Sequence, residues 1–169
     1  MNETAQQYKA RLHSYVEGKD PIAMQLEAPS IIARLIEGVA DEKLKRPPAP
    51  GKWSIAEILM HLAEDELVSS WRYRQMLEHD TPELAGFDQD LWARIGNYSA
   101  CNPRDALTLF RLLREANFRM FAQLAPAEWQ RGGVHSERGR LTVHDLCCHM
   151  AAHEINHIEQ IRRSLDCHG

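Results

Sequence analysis

No run of apolar residues in this chain approaches the roughly 20 needed to span a bilayer. The opening stretch MNETAQQYKARLHSYVEGKD contains no apolar core segment, so no secretory signal peptide is expected. Basic residues form no block and the formal net charge is −4, which gives no electrostatic footing on nucleic acid or an anionic membrane. Cysteine is scarce: Cys101, Cys147, Cys148 and Cys167 follow no disulfide-like spacing. Free thiols and a cytoplasmic location are the expectation. No segment shows a sustained alternation of β-branched residues, and there is no repeat, low-complexity tract or second domain. Residues 1–169 are expected to form a single domain, long enough to bury one core. What the chain has in excess is histidine, nine in all, with five between His144 and His168.

Breakers divide the sequence into long helical segments. In DPIAMQLEAPSIIARLIEGVADEKL, Asp20 is a candidate N-cap with Pro21 at the first helical position, and Pro29 is a candidate break. Ile31, Ile32, Leu35, Ile36 and Val39 recur there at helical spacing. After the connection RPPAPGK, Ser54 and Glu57 stand at capping-box spacing and open a helix of about 25 residues, nearly 40 Å long. A longer connection, with a short helix around Asp88 to Arg94, leads to Asn102 and Pro103, another N-cap and first-turn pair. Thr142 and Asp145 start the last helix, which runs towards Leu165. With a further helix around residues 3 to 17, the fold class is all-α, and a four-helix bundle is its economical packing.

The last helix carries His149, His153 and His157, each four residues apart and so stacked on one face. Leu146, Met150 and Ser164 share that direction, which places the stripe on the core-facing side. Several buried imidazoles cost free energy unless each has a partner, and a shared metal ion satisfies them together. The string HEINH, His153 to His157, has the H-E-x-x-H form of a zinc peptidase helix. The third ligand of such a site is missing. Gln160 stands where the glycine of the longer motif belongs and Arg163 where its histidine belongs. Only twelve residues follow His157, too few for a later ligand helix. Glu154 lies about 100° round the helix from His153 and reads as a solvated or inter-helix charge.

The third ligand must then come from another helix, and His61, on an apolar face of the second long helix, is the candidate. His13, His79, His135 and His168 fall near helix ends or in loops and are expected at the surface; His144 is too far up the last helix to join His157.

The segment GKWSIAEILMHLAEDE resembles the opening of the second helix in the DinB-like family of metal-binding four-helix bundles, and GRLTVHDLCCHMAAHEINHIEQI resembles that family's last helix. The stretches FDQDLWARIGNY, LTLFRLLREANF and LAPAEWQRGGVHSERG are similar to its middle. The resemblance implies an up-down-down-up bundle with a long crossover, a homodimer, and a divalent ion, zinc or nickel, on His61, His153 and His157. His149 is expected as a pocket or second-layer residue, with ligand and plain core as alternatives. Asp65, one turn beyond His61, can orient that imidazole or be a surface acid.

Three neutral imidazoles leave such an ion its charge and an open position. The family resemblance therefore implies a metal-dependent thiol S-transferase or small-molecule hydrolase, with a small-molecule substrate and a low-molecular-weight thiol as partners. No catalytic base is assigned. A non-enzymatic metal-binding or stress-related interaction protein is the alternative, and a metal-free bundle with buried histidines a third.

Overall fold

The computed structural model of the chain describes residues 5–167, apart from the side chains of residues 5, 6, 8 and 9. His168 therefore lies outside the described residues. Four long helices, α2 (Pro21–Leu35), α4 (Ile55–Glu78), α6 (Pro103–Phe121) and α7 (Val143–Asp166), enclose the core. Shorter ones are α1 (Ala5–Val16), α3 (Asp41–Leu44) and α5 (Gln89–Ile95). The starts follow the capping chemistry of the sequence. Asp20 accepts the Ile22 N–H, Asn102 those of Arg104 and Asp105, and Ser54–Glu57 and Thr142–Asp145 both close reciprocal capping boxes.

Helices α4 and α2 each lie against both α6 and α7. Cys101 meets Ala56, Arg114 meets Glu66 and Ser70 meets Asn117, so α4 and α6 run the same way. His61 meets His153 and Ser69 meets Met150, so α7 runs against α4. One apolar cluster fills one end, with Ile32, Ile36, Ile58, Leu62, Phe110 and Ile158 among its members. A second fills the other end, built on Tyr73, Met76, Phe121, Leu146 and Met150.

Between these clusters lies a layer of buried charge. Arg114, 1% exposed, donates from Nη2 to Glu66 Oε2 at 2.6 Å and also to Glu154 Oε1. Asn117 Nδ2 donates to Glu66 Oε1 at 2.6 Å, and the guanidinium sits 5.0 Å over the Phe110 ring. Burial pushes Glu154 up to about 8 against the opposing pull of Arg114. Its Oε2 has no hydrogen-bond partner among the described residues. The pairing of Arg114 with both carboxylates is what makes the burial tolerable. Glu154 is thus an inter-helix residue and is not solvated.

Pro29 does not break α2, which continues through it to Leu35. A proline lacks the N–H that would bond the carbonyl four residues back, here that of Gln25. That carbonyl is taken by Arg114 Nη1 at 3.2 Å. The same arginine therefore satisfies the polar group that the proline leaves free.

The all-α expectation misses a three-stranded sheet: β1 (Glu83–Leu84), β2 (Gly132–His135) and β3 (Gly139–Thr142). Strand β1 pairs with β2 in parallel, and β2 pairs with β3 as an antiparallel hairpin. Two glycines open β2, and no alternating β-branched run announces it. Both are needed for close approach. A Cβ on Gly132 would stand 2.3 Å from Leu141 O, and one on Gly133 would stand 2.6 Å from Pro82 O. This sheet seats His135 beside α4.

Replacing Arg114 by methionine leaves Glu66 and Glu154 buried without their cation. Arg114→Met is expected to destabilise the fold by about 3–5 kcal/mol, read as a lower urea midpoint by circular dichroism. A loss below about 1 kcal/mol would show that the charged layer does not hold the bundle.

Candidate metal centre

The histidines meet because α4 and α7 are antiparallel neighbours and because a four-residue step keeps His153 and His157 on one face. His61 Nε2 lies 3.3 Å from His153 Nε2, and His157 Nε2 lies 3.0 Å from His153 Nε2. One nitrogen from each of the three side chains falls within 4.8 Å of the others, and all three residues are buried. Trp53 backs His61 with ring centroids 5.1 Å apart.

One outer nitrogen is held as well. His157 Nδ1 lies 3.0 Å from Gln160 Oε1, an acceptor that fixes the proton on Nδ1 and turns the Nε2 lone pair inward. His153 Nδ1 lies 3.3 Å from Asp65 Oδ2, off hydrogen-bond alignment but within ion-pair range. The imidazole that Asp65 meets is thus that of His153, on the facing helix. Burial, followed by the charge of His157, pushes His61 down to about 3. Burial pushes His157 down to about 4 against the pull of Gln160. His153 falls well below the usual imidazole range, from burial first and then from His157 and His61. All three rings are neutral at neutral pH.

Where both Nε2 atoms are unprotonated, as Gln160 dictates for His157, nitrogens this close repel unless a cation stands between them. Tetrahedral coordination with metal–nitrogen bonds of about 2.0–2.1 Å places neighbouring ligand nitrogens about 3.3 Å apart. The His61–His153 spacing of 3.3 Å meets that demand, the His153–His157 spacing of 3.0 Å is somewhat shorter, and all three lie within 4.8 Å of one another.

Beside the histidines opens a cavity of about 240 Å³, lined by His61, Asp65, Arg72, His135 and His149, with Phe87 and Arg138 near its edge. His149 stacks on His153 at 5.9 Å between centroids, and its nitrogens are not part of the close three-residue cluster. His135 is 4% exposed and accepts the Glu137 N–H on Nδ1, contrary to the surface position expected of it. His13 and His79 are exposed as expected, and His144 is exposed too. Sequence reasoning also missed Arg72, which the spacing alone could have flagged: His61, Asp65 and Arg72 share one face of α4, as steps of four and seven residues require.

The family profile of the DinB superfamily matches residues 26–161. The chain belongs to the DinB superfamily. It is 24% identical over 164 residues, covering 94% of this chain and 92% of the relative, to YfiT of Bacillus subtilis, provisionally named a metal-dependent hydrolase. A similarly named protein of Oceanobacillus iheyensis is 24% identical over 140 residues, covering 79% of this chain and 77% of that protein. The solved structure of Bacillus subtilis YfiT, described as a four-helix bundle of unusual topology, superposes with a TM-score of 0.79 at 20% identity. The match covers 96% of this chain and 88% of that one. Family membership and the three-histidine cluster together support binding of a divalent metal ion.

If Gln160 fixes His157, removing its acceptor weakens the centre without removing a ligand. Gln160→Met is expected to lower metal affinity by about 10- to 100-fold, measured by competition with a chromophoric chelator. Affinity unchanged within about twofold would refute that role.

Proposed function

We propose that the protein is a metal-dependent hydrolase of small molecules, with zinc or nickel held by His61, His153 and His157. The observation that carries this reading is the convergence of three buried imidazoles, one of which, His61, also lines a cavity large enough for a small organic molecule. A divalent ion on three imidazoles supplies a Lewis acid with an open position, able to lower the pKa of water towards about 7. A purely structural site would be closed by a fourth protein ligand, and the cluster found among the described residues has three members.

The chain's own residues then have separable tasks. Gln160 holds the outer nitrogen of His157 and so aims its inner lone pair, while Asp65 stands 3.3 Å from the outer nitrogen of His153 without a hydrogen bond. Burial raises Asp65 to about 6 despite Arg72. Its carboxyl group can therefore hold or release a proton at the cavity wall near neutral pH. His149, pushed down to about 3 by burial and then by Arg138 and Arg72, stays neutral and lines the cavity above His153. Phe87 gives the same cavity an apolar edge.

The open position would take a thiolate as readily as water, so thiol S-transfer is the second reading. It is distinguished by dependence on an added low-molecular-weight thiol. The directions of α4, α6 and α7 support the up-down-down-up course. Four free cysteines support a cytoplasmic location, and no helix among the described residues is long and apolar enough to cross a membrane. For the homodimer, Leu67 and Trp71 offer a surface: they stand one turn apart on α4, 53% and 64% exposed.

Protein purified without a histidine tag is expected to carry about one divalent ion per chain by elemental analysis. His61→Ala and His157→Ala should each lose it. Hydrolysis across an ester and amide panel should vanish on chelation and return with zinc or nickel. Full metal retention in both variants would refute the site. Turnover only with added thiol would replace hydrolysis by S-transfer, and none at all would favour a binding protein. Trp71→Asp is expected to shift the species seen by light scattering from dimer to monomer; a wild-type monomer would refute the dimer.

A further inference from the structure

The cavity beside the histidines has a second polar end. His61, Asp65 and Arg72 follow one another along a single face of α4, and Arg72 stands eleven residues beyond His61, about 16 Å along the helix axis. Arg72 is 8% exposed. Among the described residues its only hydrogen bond is from Nη2 to the main-chain oxygen of Ala85, at 2.6 Å. Its Nε, buried, has no partner. The guanidinium also lies 5.9 Å from the centre of the Phe87 ring. An arginine this buried normally has a carboxylate in its fork, because an uncompensated charge in a low-dielectric site is costly. Arg114 in the same bundle has two.

No carboxylate reaches the Arg72 fork at hydrogen-bond distance, although Asp65 and Glu137 act on it through charge. Asp65 Oδ2 is directed at His153 Nδ1. His135, also on the cavity wall, has its Nδ1 occupied by the Glu137 N–H. Arg138 adds a second cation and Glu137 a second carboxylate to the lining. The two arginines and two carboxylates balance, and three neutral imidazoles leave a bound divalent ion wholly uncompensated. The loaded cavity would therefore have an excess of positive charge, with one guanidinium lacking a hydrogen-bonded anion.

We propose that Arg72, with Arg138 and His135 beside it, forms a carboxylate-recognition subsite, so that the substrate is a small organic acid whose reacting group faces the three histidines. The inference rests on the metal-dependent reading and adds the substrate class to it. A carboxylate is planar and meets one guanidinium side with two oxygens on two N–H groups; a phosphate dianion is the competing ligand that the titration separates. The volume of about 240 Å³ holds a molecule of metabolite size.

The test uses full-length, zinc-loaded protein, its metal content measured on the same sample. Isothermal titration compares 3-mercaptopropionate, 4-mercaptobutyrate and 6-mercaptohexanoate with their uncharged amides, and with mercaptoethyl phosphate. At least one acid is expected to bind about tenfold or more tightly than its amide, the worth of a charge-assisted contact. Arg72→Gln should bring that ratio close to one while leaving metal content and amide affinity unchanged. Should the glutamine variant fail to fold, Arg72→Lys and Arg138→Gln provide the same comparison, each expected to reduce the ratio. Acid and amide of equal affinity throughout the series would overturn the subsite. So would a preference that survives Arg72→Gln, which would leave Arg72 with only its structural bond to Ala85, or a stronger preference for the phosphate. Protein that takes up no zinc, or that binds no amide, fails the metal-dependent reading instead; the acid-to-amide comparison and its response to Arg72 are still read in those titrations.

Discussion

Arg114 is the residue on which the bundle's interior turns. One guanidinium, wholly buried, joins Glu66 of α4, Glu154 of α7 and the Gln25 carbonyl of α2 to its own helix, α6. Removing any partner leaves charge or an open polar group in an apolar interior, where burial without pairing is costly. That demand fixes how the four helices are set along one another. Apolar packing alone constrains such sliding far less, since ridges and grooves recur at every turn.

The setting matters because the histidines lie in the adjoining turns. Glu154 is the residue after His153, and Glu66 the residue after Asp65. Holding Glu66 and Glu154 on one arginine brings α4 and α7 into the alignment that places Asp65 against His153 Nδ1 and His61 against His153 Nε2. A slip of one turn, about 5.4 Å, would separate nitrogens that now lie 3.0 to 3.3 Å apart. The glutamate inside HEINH thus serves the centre through the bundle rather than through water, and it faces away from the rings it accompanies in sequence.

The long helices were legible because their signals are local. Ser54–Glu57, Thr142–Asp145 and Asn102–Pro103 each mark a boundary within four residues, and the four-residue step of the histidines is a property of one helix. His61 was legible as the remaining core-facing candidate, supported by the resemblance of the segment around it. What was not legible depends on distant pairs. Nothing near Pro29 says that an arginine more than eighty residues away will take the carbonyl it frees. Strand β2 is held by Pro82, Leu84 and the hairpin return, while its own residues Gly132 and Gly133 have little intrinsic preference for a strand. His135 was therefore read as a loop residue, and the cavity it helps to close could not be drawn. Asp65 reads in sequence either as orienting its neighbour His61 or as a surface acid, because its partner lies on the facing helix.

The central claim is that three inward-facing imidazoles hold one ion with a position left open to the cavity. Anomalous diffraction at the metal edge, on crystals grown from protein with its native metal, tests this most directly. The account predicts a single peak per chain, about 2.0–2.1 Å from the Nε2 atoms of His61, His153 and His157, with non-protein density on its cavity side. A peak completed by a fourth protein ligand, or none at the three histidines in metal-containing protein, would contradict it.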